Sequence, residues 1–178
     1  AWGIFMLIVL LGAGNGLIHA FEQSASERAM NSIKIFPGWT SKSYDGLKEG
    51  RRIRLDNKDL NTTNKNFPDH VIKAGATVYQ GGVNLSFGPE YVNLNLSGVY
   101  PNHTEVEVVK LFKGRFINEI DIKERRKVIV LHKKTAEILF DKTHTDPIGQ
   151  FVNAGNVVYQ VVGLYNDKGD SGDSDAYL

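Results

Sequence analysis

The sequence predicts an α+β domain hung outside the cytoplasm from an N-terminal membrane helix. Three observations lead there. No charged side chain occurs from Ala1 to Ile18, and Ile4 to Leu11 is wholly apolar. Val71 to Tyr100 is the clearest β region, in which Val83 to Phe87 and Tyr91 to Val99 alternate apolar and polar with a period of two, the mark of strands with one buried face. After Lys127 a compact apolar run, a helical pattern and a hairpin pattern follow one another.

The opening run is of roughly the length, about 18 residues at ~1.5 Å each, that crosses the hydrocarbon of a bilayer. Gly12, Gly16 and Ala20 recur every fourth residue, a spacing that lets two helices approach closely in lipid, so these three are the helix-packing candidates. Two readings compete with a membrane helix. One is a secretory signal peptide cleaved after Ile18-His19-Ala20; no basic n-region is visible, although the first residue is not Met. The other is a core helix, which a domain of this size rarely buries on all sides. From Phe21 to Asn31 the residues stay helix-compatible, with Phe21, Ala25, Ala29 and Met30 near one side. The first segment, residues 1–31, is therefore expected as a membrane helix continued by a rigid stalk.

Ser32-Ile33-Lys34-Ile35-Phe36 alternates up to Pro37-Gly38 and reads as a short strand ended by a turn. Trp39 to Gly50 reads as a loop. Arg51, Arg52 and Arg54 read as the solvated side of an edge strand, with a lipid-headgroup patch as the alternative. Asp56 or Asn57 can cap a short helix ending before Pro68. Val83 to Phe87 and Tyr91 to Val99, joined across Gly88-Pro89, predict an antiparallel pair. Val106 to Phe112 reads as another strand or short helix, and the charged stretch Glu119 to Lys127 as a surface loop or helix. Val128 to Leu131 is a buried strand, with His132 at its surface end. Lys133 to Phe140 is a helix with Ala136, Leu139 and Phe140 inward. Gln150 to Asn153 and Val157 to Leu164 form a hairpin across Ala154-Gly155-Asn156. From Asn166 to Asp175 no core-forming side chain occurs, and residues 165–178 are expected as a flexible polar tail.

Composition excludes several functions. The net charge of +1 gives no basic surplus for nucleic acid. Without cysteine there is no disulfide scaffold, thiolate metal site or Cys nucleophile. Gly169-Asp170-Ser171-Gly172 matches the nucleophile tetrapeptide of trypsin-like proteases, but no Ala-Ala-His precedes it, so no catalytic residue is assigned. Asp167, Asp170, Asp173 and Asp175 lack calcium-loop spacing, and His19, His70, His103, His132 and His144 form no zinc motif, so no metal ligand is assigned. No phosphate-binding loop occurs, and no cofactor is expected in this chain. The sequons headed by Asn61, Asn84, Asn95 and Asn102 arise easily by chance in an Asn-rich sequence.

The stretch from Gly98 to Gly163 resembles the periplasmic core domain of MacB-type ABC transporter permeases. The motifs are Gly98-Val99 before Pro101, Gly114-Arg115-Phe116 with Asp121, Arg126 to Leu131, Leu139-Phe140, Asp146-Pro147-Ile148-Gly149 and Tyr159 to Gly163. Asn31 to Gly38 is similar to the family's segment after its first membrane helix. Gln150 stands where a Lys is common. Structural roles are implied for Gly114, Arg115, Phe116, Asp121, Asp146, Pro147, Gly149 and Gly163.

The resemblance implies an N-terminal transmembrane and stalk helix followed by a two-lobed extracytoplasmic domain. Residues 32–113 would start a porter-like βαβ lobe, and residues 114–164 would form a smaller mixed β lobe. The chain would be a fragment ending before the return to the membrane and three further spans. The function implied is coupling of cytoplasmic ATP hydrolysis to periplasmic conformational change, of the efflux or lipoprotein-release type. The ATPase would sit on a separate subunit or domain, so this chain is not expected to be an enzyme. Implied partners are that ATP-binding subunit, a second permease protomer (the same chain or a homologue), a periplasmic adaptor with an outer-membrane channel, and membrane lipid. The place implied is the bacterial inner membrane, with the folded domain in the periplasm. Two other classes stay open on the residues alone: a secreted or surface-anchored β-rich binding protein with a signal segment, and an extracytoplasmic hydrolase.

Overall fold

The structure, a computed structural model, describes residues 2–26, 32–107, 109–166 and 176–178, with side chains of the first helix described from Trp2 to Ala20. It divides into two compact units, Ala1–Phe36 with Thr104–Val108, and Pro37–His103 with Val109–Leu178.

The first unit is dominated by α1 (Trp2–Ser26), whose Trp2–Ala20 portion is long and apolar enough to cross a membrane. None of that portion is buried within the protein. The helix continues past Ala20 to Ser26, as the expected stalk requires; residues 27–31 of that expectation lie outside the described residues. The expected strand at Ser32–Phe36 is corrected. This backbone pairs with no strand among the described residues, and Ile33, Ile35 and Phe36 are exposed. An alternating pattern makes a strand only where a partner ladder exists. Lys34 instead makes an ion pair with Glu107 of the same unit.

The second unit opens with a hairpin where a loop was expected. Thr40 N–H donates to Arg51 O (2.9 Å), Ile53 N–H to Gly38 O (2.8 Å), and Tyr44 and Leu47 exchange backbone hydrogen bonds at 3.1 and 2.9 Å. Asp45 (φ 49°) and Gly46 (φ 75°) form the tip. Positive φ at both central residues is the type I′ turn whose twist suits a hairpin. The arginine cluster is no edge strand either, since only Arg52 forms a bridge, to Trp39. α2 (Asn57–Asn66) follows, started by a capping box between Asp56 and Asp59.

The expected antiparallel pair is present as β1 (Thr77–Phe87) and β2 (Glu90–Val99), in register Phe87 with Glu90. Gly88 (φ 58°) before proline gives the positive-then-negative φ sequence of a tight hairpin turn. The expected strand or helix at Val106–Phe112 is divided between α3 (His103–Val106) and β3 (Leu111–Gly114). Then come α4 (Glu119–Glu124), β4 (Val128–His132), α5 (Lys133–Phe140), β5 (Phe151–Ala154), β6 (Val157–Tyr165) and β7 (Ala176–Tyr177).

The sheet runs β3-β6-β4-β7-β2-β1-β5, and β5 also pairs with β6. The ladder therefore closes into a circuit of six strands, with β3 attached outside it along β6. Every strand of the circuit sends side chains into one core: Leu85, Leu94 with Leu96, Ile129 with Leu131, Val152 with Ala154, Val161 with Leu164, and Ala176. α5 adds Ala136, Leu139 and Phe140. β4 is buried along its whole length because Val128 and Val130 face a second cluster with Val99, Phe116, Ile117 and Tyr165.

Strands on both sides of residues 113/114 share the one circuit. The end of the chain is not all flexible tail. Tyr165 ends β6, and Ala176 and Tyr177 insert between β2 and β4, parallel to the first and antiparallel to the second. Residues 167–175 lie outside the described residues.

Candidate functional site

The motif residues meet where β3 crosses β6. Gly114 (φ 78°) is paired with Gly163, and Arg115 N–H donates to Val162 O at 2.9 Å. A Cβ on Gly163 would lie 2.1 Å from Arg115 O, and one on Gly114 2.3 Å from Val162 O. Only glycine permits this approach, because the opposing atoms are backbone and cannot turn aside.

Arg115 then reaches across α4. Its Nη1 donates to Asp121 Oδ2 (2.5 Å) and its Nη2 to Asp121 Oδ1 (3.0 Å), a two-pronged ion pair. Asp121 sits there because Asn118 caps α4. Asn118 Oδ1 accepts from Asp121 N–H, and Asp121 Oδ2 accepts from Asn118 N–H, both at 3.0 Å. Arg126 adds a longer contact at 3.9 Å. The Arg115 hydrogen bonds hold the buried Asp121 carboxyl below the usual carboxylate range, against the opposing effect of burial; the Asn118 amide helps. The same pair raises Arg115. Phe116 packs into the second cluster, 5.6 Å from the Tyr177 ring.

The Asp146–Gly149 turn closes the junction. Asp146 Oδ1 accepts from Ile148 N–H (3.2 Å), and Lys113 Nζ donates to Asp146 Oδ2 (2.6 Å), which lowers the Asp146 carboxyl. Pro147 O accepts from Gln150 N–H at 3.2 Å, and Gly149 (φ 88°) donates its N–H to Val161 O at 2.8 Å. The structure thus brings Gly114, Arg115, Phe116, Asp121, Asp146, Pro147, Gly149 and Gly163 to one junction. Chemically it can hold two strands and α4 in fixed register. Its two carboxylates, on Asp121 and Asp146, are engaged by cations and backbone amides.

Gly12, Gly16 and Ala20 lie along α1, and a Cβ on Gly12 or Gly16 would meet nothing within 4 Å. The chain's own packing does not require these glycines. His132, expected at a surface, is buried: its Nδ1 accepts from Lys134 N–H (3.2 Å) and caps α5, and its ring lies edge-on to Tyr165 at 5.1 Å. Tyr165, Tyr177 and His103 continue this row of rings at 4.9 and 5.2 Å. Sequence reasoning missed the row because Tyr177 is brought in by β7. It also missed the 38–53 hairpin, whose signal, Asp45-Gly46, was present. Among the described residues no group of three His, Asp or Glu side chains is placed to hold a metal ion. Gly169 to Gly172, and the aspartates at 167, 170, 173 and 175, lie outside the described residues.

The described residues thus comprise an apolar helix of membrane-crossing length and an α+β unit with a glycine-dependent junction. This chain belongs to the MacB-like periplasmic core domain family, whose profile matches residues 1–178. It is 27% identical over 177 residues to the macrolide export ATP-binding/permease protein MacB of Neisseria meningitidis, covering 99% of this chain and 26% of that protein. With the protein of the same name from Bartonella henselae it shares 22% over 172 residues, 97% of this chain and 25% of that one. The chain therefore spans about a quarter of the curated relatives it matches. The periplasmic region of MacB from Actinobacillus actinomycetemcomitans superposes with a TM-score of 0.59 at 25% identity, over 70% of this chain and 54% of that one. The extracellular domain of the ABC-type transporter YknZ from Gram-positive bacteria has the same fold, with a TM-score of 0.60 at 24% identity over 69% and 61% of the two chains.

Proposed function

We propose that this chain is the first membrane helix and extracytoplasmic domain of an ABC transporter permease, working at the bacterial inner membrane with its folded part in the periplasm. Its task is to turn ATP-driven motion on the cytoplasmic side into conformational change on the far side, for efflux or lipoprotein release. The family match across the whole chain carries this reading. The unburied apolar helix running on past bilayer length supports it, because a helix is stiff enough to carry displacement along its axis. A second permease protomer and an ATP-binding subunit or domain are the partners this task needs; efflux would add an adaptor and an outer-membrane channel. Gly12, Gly16 and Ala20 are assigned to close packing of α1 on a neighbouring membrane helix.

The test is Gly16→Leu in the whole permease, reading helix proximity by energy transfer alongside transport and ATP hydrolysis. Helix pairing and transport should fall together while ATP hydrolysis persists. Unchanged pairing and transport would remove the packing role from the mechanism.

A further inference from the structure

We infer that the hairpin from Gly38 to Arg54 docks onto an anionic lipid surface. Trp39 and Arg52 face each other in the hairpin. Because Thr40 N–H bonds Arg51 O and Ile53 N–H bonds Gly38 O, this is a non-hydrogen-bonded pair, the kind whose side chains stand closest. Trp39 and Arg52 therefore leave the hairpin on the same face, and Arg54 follows two positions along. Trp39 is 69% exposed and Tyr44, next to the tip, 78%.

Lys42, Lys48, Arg51, Arg52 and Arg54 outnumber the hairpin's two acids, Asp45 and Glu49. None of the three arginines is paired with a carboxylate among the described residues. Arg51 donates its Nε to Lys48 O (2.9 Å), which stiffens the turn and leaves its charge uncompensated. Exposed Trp and Tyr beside uncompensated arginine suit the headgroup layer, where the rings sit at the interface and each cation gains from anionic lipid.

Chain length permits the hairpin to reach that layer. Beyond Ala20, six residues of helix and twelve more to Gly38 reach at most about 50 Å. With α1 in the bilayer, connectivity keeps the hairpin within that distance of Ala20. This inference rests on α1 being inserted, and the test measures insertion separately.

The chain has two tryptophans, Trp2 and Trp39. Trp2→Phe leaves Trp39 as the sole reporter, and Trp39→Phe leaves Trp2 to report insertion. Both chains are reconstituted through α1 into vesicles of phosphatidylcholine alone or with added phosphatidylglycerol. The expected result is a blue-shifted Trp39 emission and severalfold weaker acrylamide quenching only with phosphatidylglycerol, reversed by salt at about 0.5 M. Arg52→Gln with Arg54→Gln, at about fivefold per charge, should weaken docking about twenty- to thirtyfold. Circular dichroism checks that this variant stays folded. Equal quenching in both lipids, with Trp2 protected, overturns the inference and leaves the membrane-helix reading intact. Protection of Trp39 in phosphatidylcholine or in detergent also overturns it, because an uncharged surface or a protein contact is then the occupant.

Discussion

Two stretches of the same unit are built in opposite ways. Between residues 37 and 76 the hairpin and α2 are ordered by short-range chemistry: a type I′ tip, a capping box and a few backbone hydrogen bonds. No residue of that stretch is buried, and Trp39, Tyr44, Phe67 and Ile72 stand in solvent, Ile72 at 97%. From Thr77 onward six strands and α5 enclose one core. Net hydrogen bonds of about 1 kcal/mol barely offset about 1–2 kcal/mol of backbone entropy per residue, so local order alone is marginal. Each buried Leu, Ile, Val or Phe side chain adds about 1.5–3 kcal/mol, so the circuit is cooperative. Local chemistry can specify a shape; shared burial is what makes it resist unfolding.

The largest effect is expected at the junction of β3 and β6. Gly163→Ala drives a Cβ into Arg115 O, and only backbone could yield; a loss of about 3–5 kcal/mol is expected, read as a lower urea midpoint. An unchanged midpoint would mean that the crossing is not a constraint. Asp121→Asn comes next, at about 2–3 kcal/mol near pH 7, because Arg115 is half exposed and partly rehydrates. The variant should also flatten the acid response. The folded-state value of Asp121 lies below its unfolded value of about 3.9, so its contribution is complete well above that pH. It is lost as pH falls through the folded value. Wild type should therefore lose stability below about pH 4 more steeply than Asp121→Asn in urea titrations at stepped pH. Smallest is Asp56→Ala, which removes the α2 cap: about 1 kcal/mol, seen as faster hydrogen exchange in α2 with no shift in the midpoint of the circuit. A shift in that midpoint would show the two stretches unfolding as one and would erase the contrast.

Much of the circuit was legible because its parts carry short-range signals. The β1–β2 and β5–β6 hairpins follow from alternation broken at Gly88-Pro89 and Gly155-Asn156, and α5 from its apolar spacing. The motif residues were visible as a series, although their meeting at one junction was not. Ser32–Phe36 misled because its alternation found no partner strand. His132 misled because a histidine after an apolar run reads as a strand end, while Tyr165 and the start of α5 enclose it.

Residue order alone therefore determined the membrane-length helix, the turns, the caps and the strand periods, since each depends on neighbours within a few positions. Tertiary structure decided that β5 closes the circuit, that Ala176 and Tyr177 enter between β2 and β4, and that Arg115 finds Asp121 over the Gly114–Gly163 contact. Those choices depend on burial summed over strands far apart in the chain, and a two-residue strand has no period of its own to announce it.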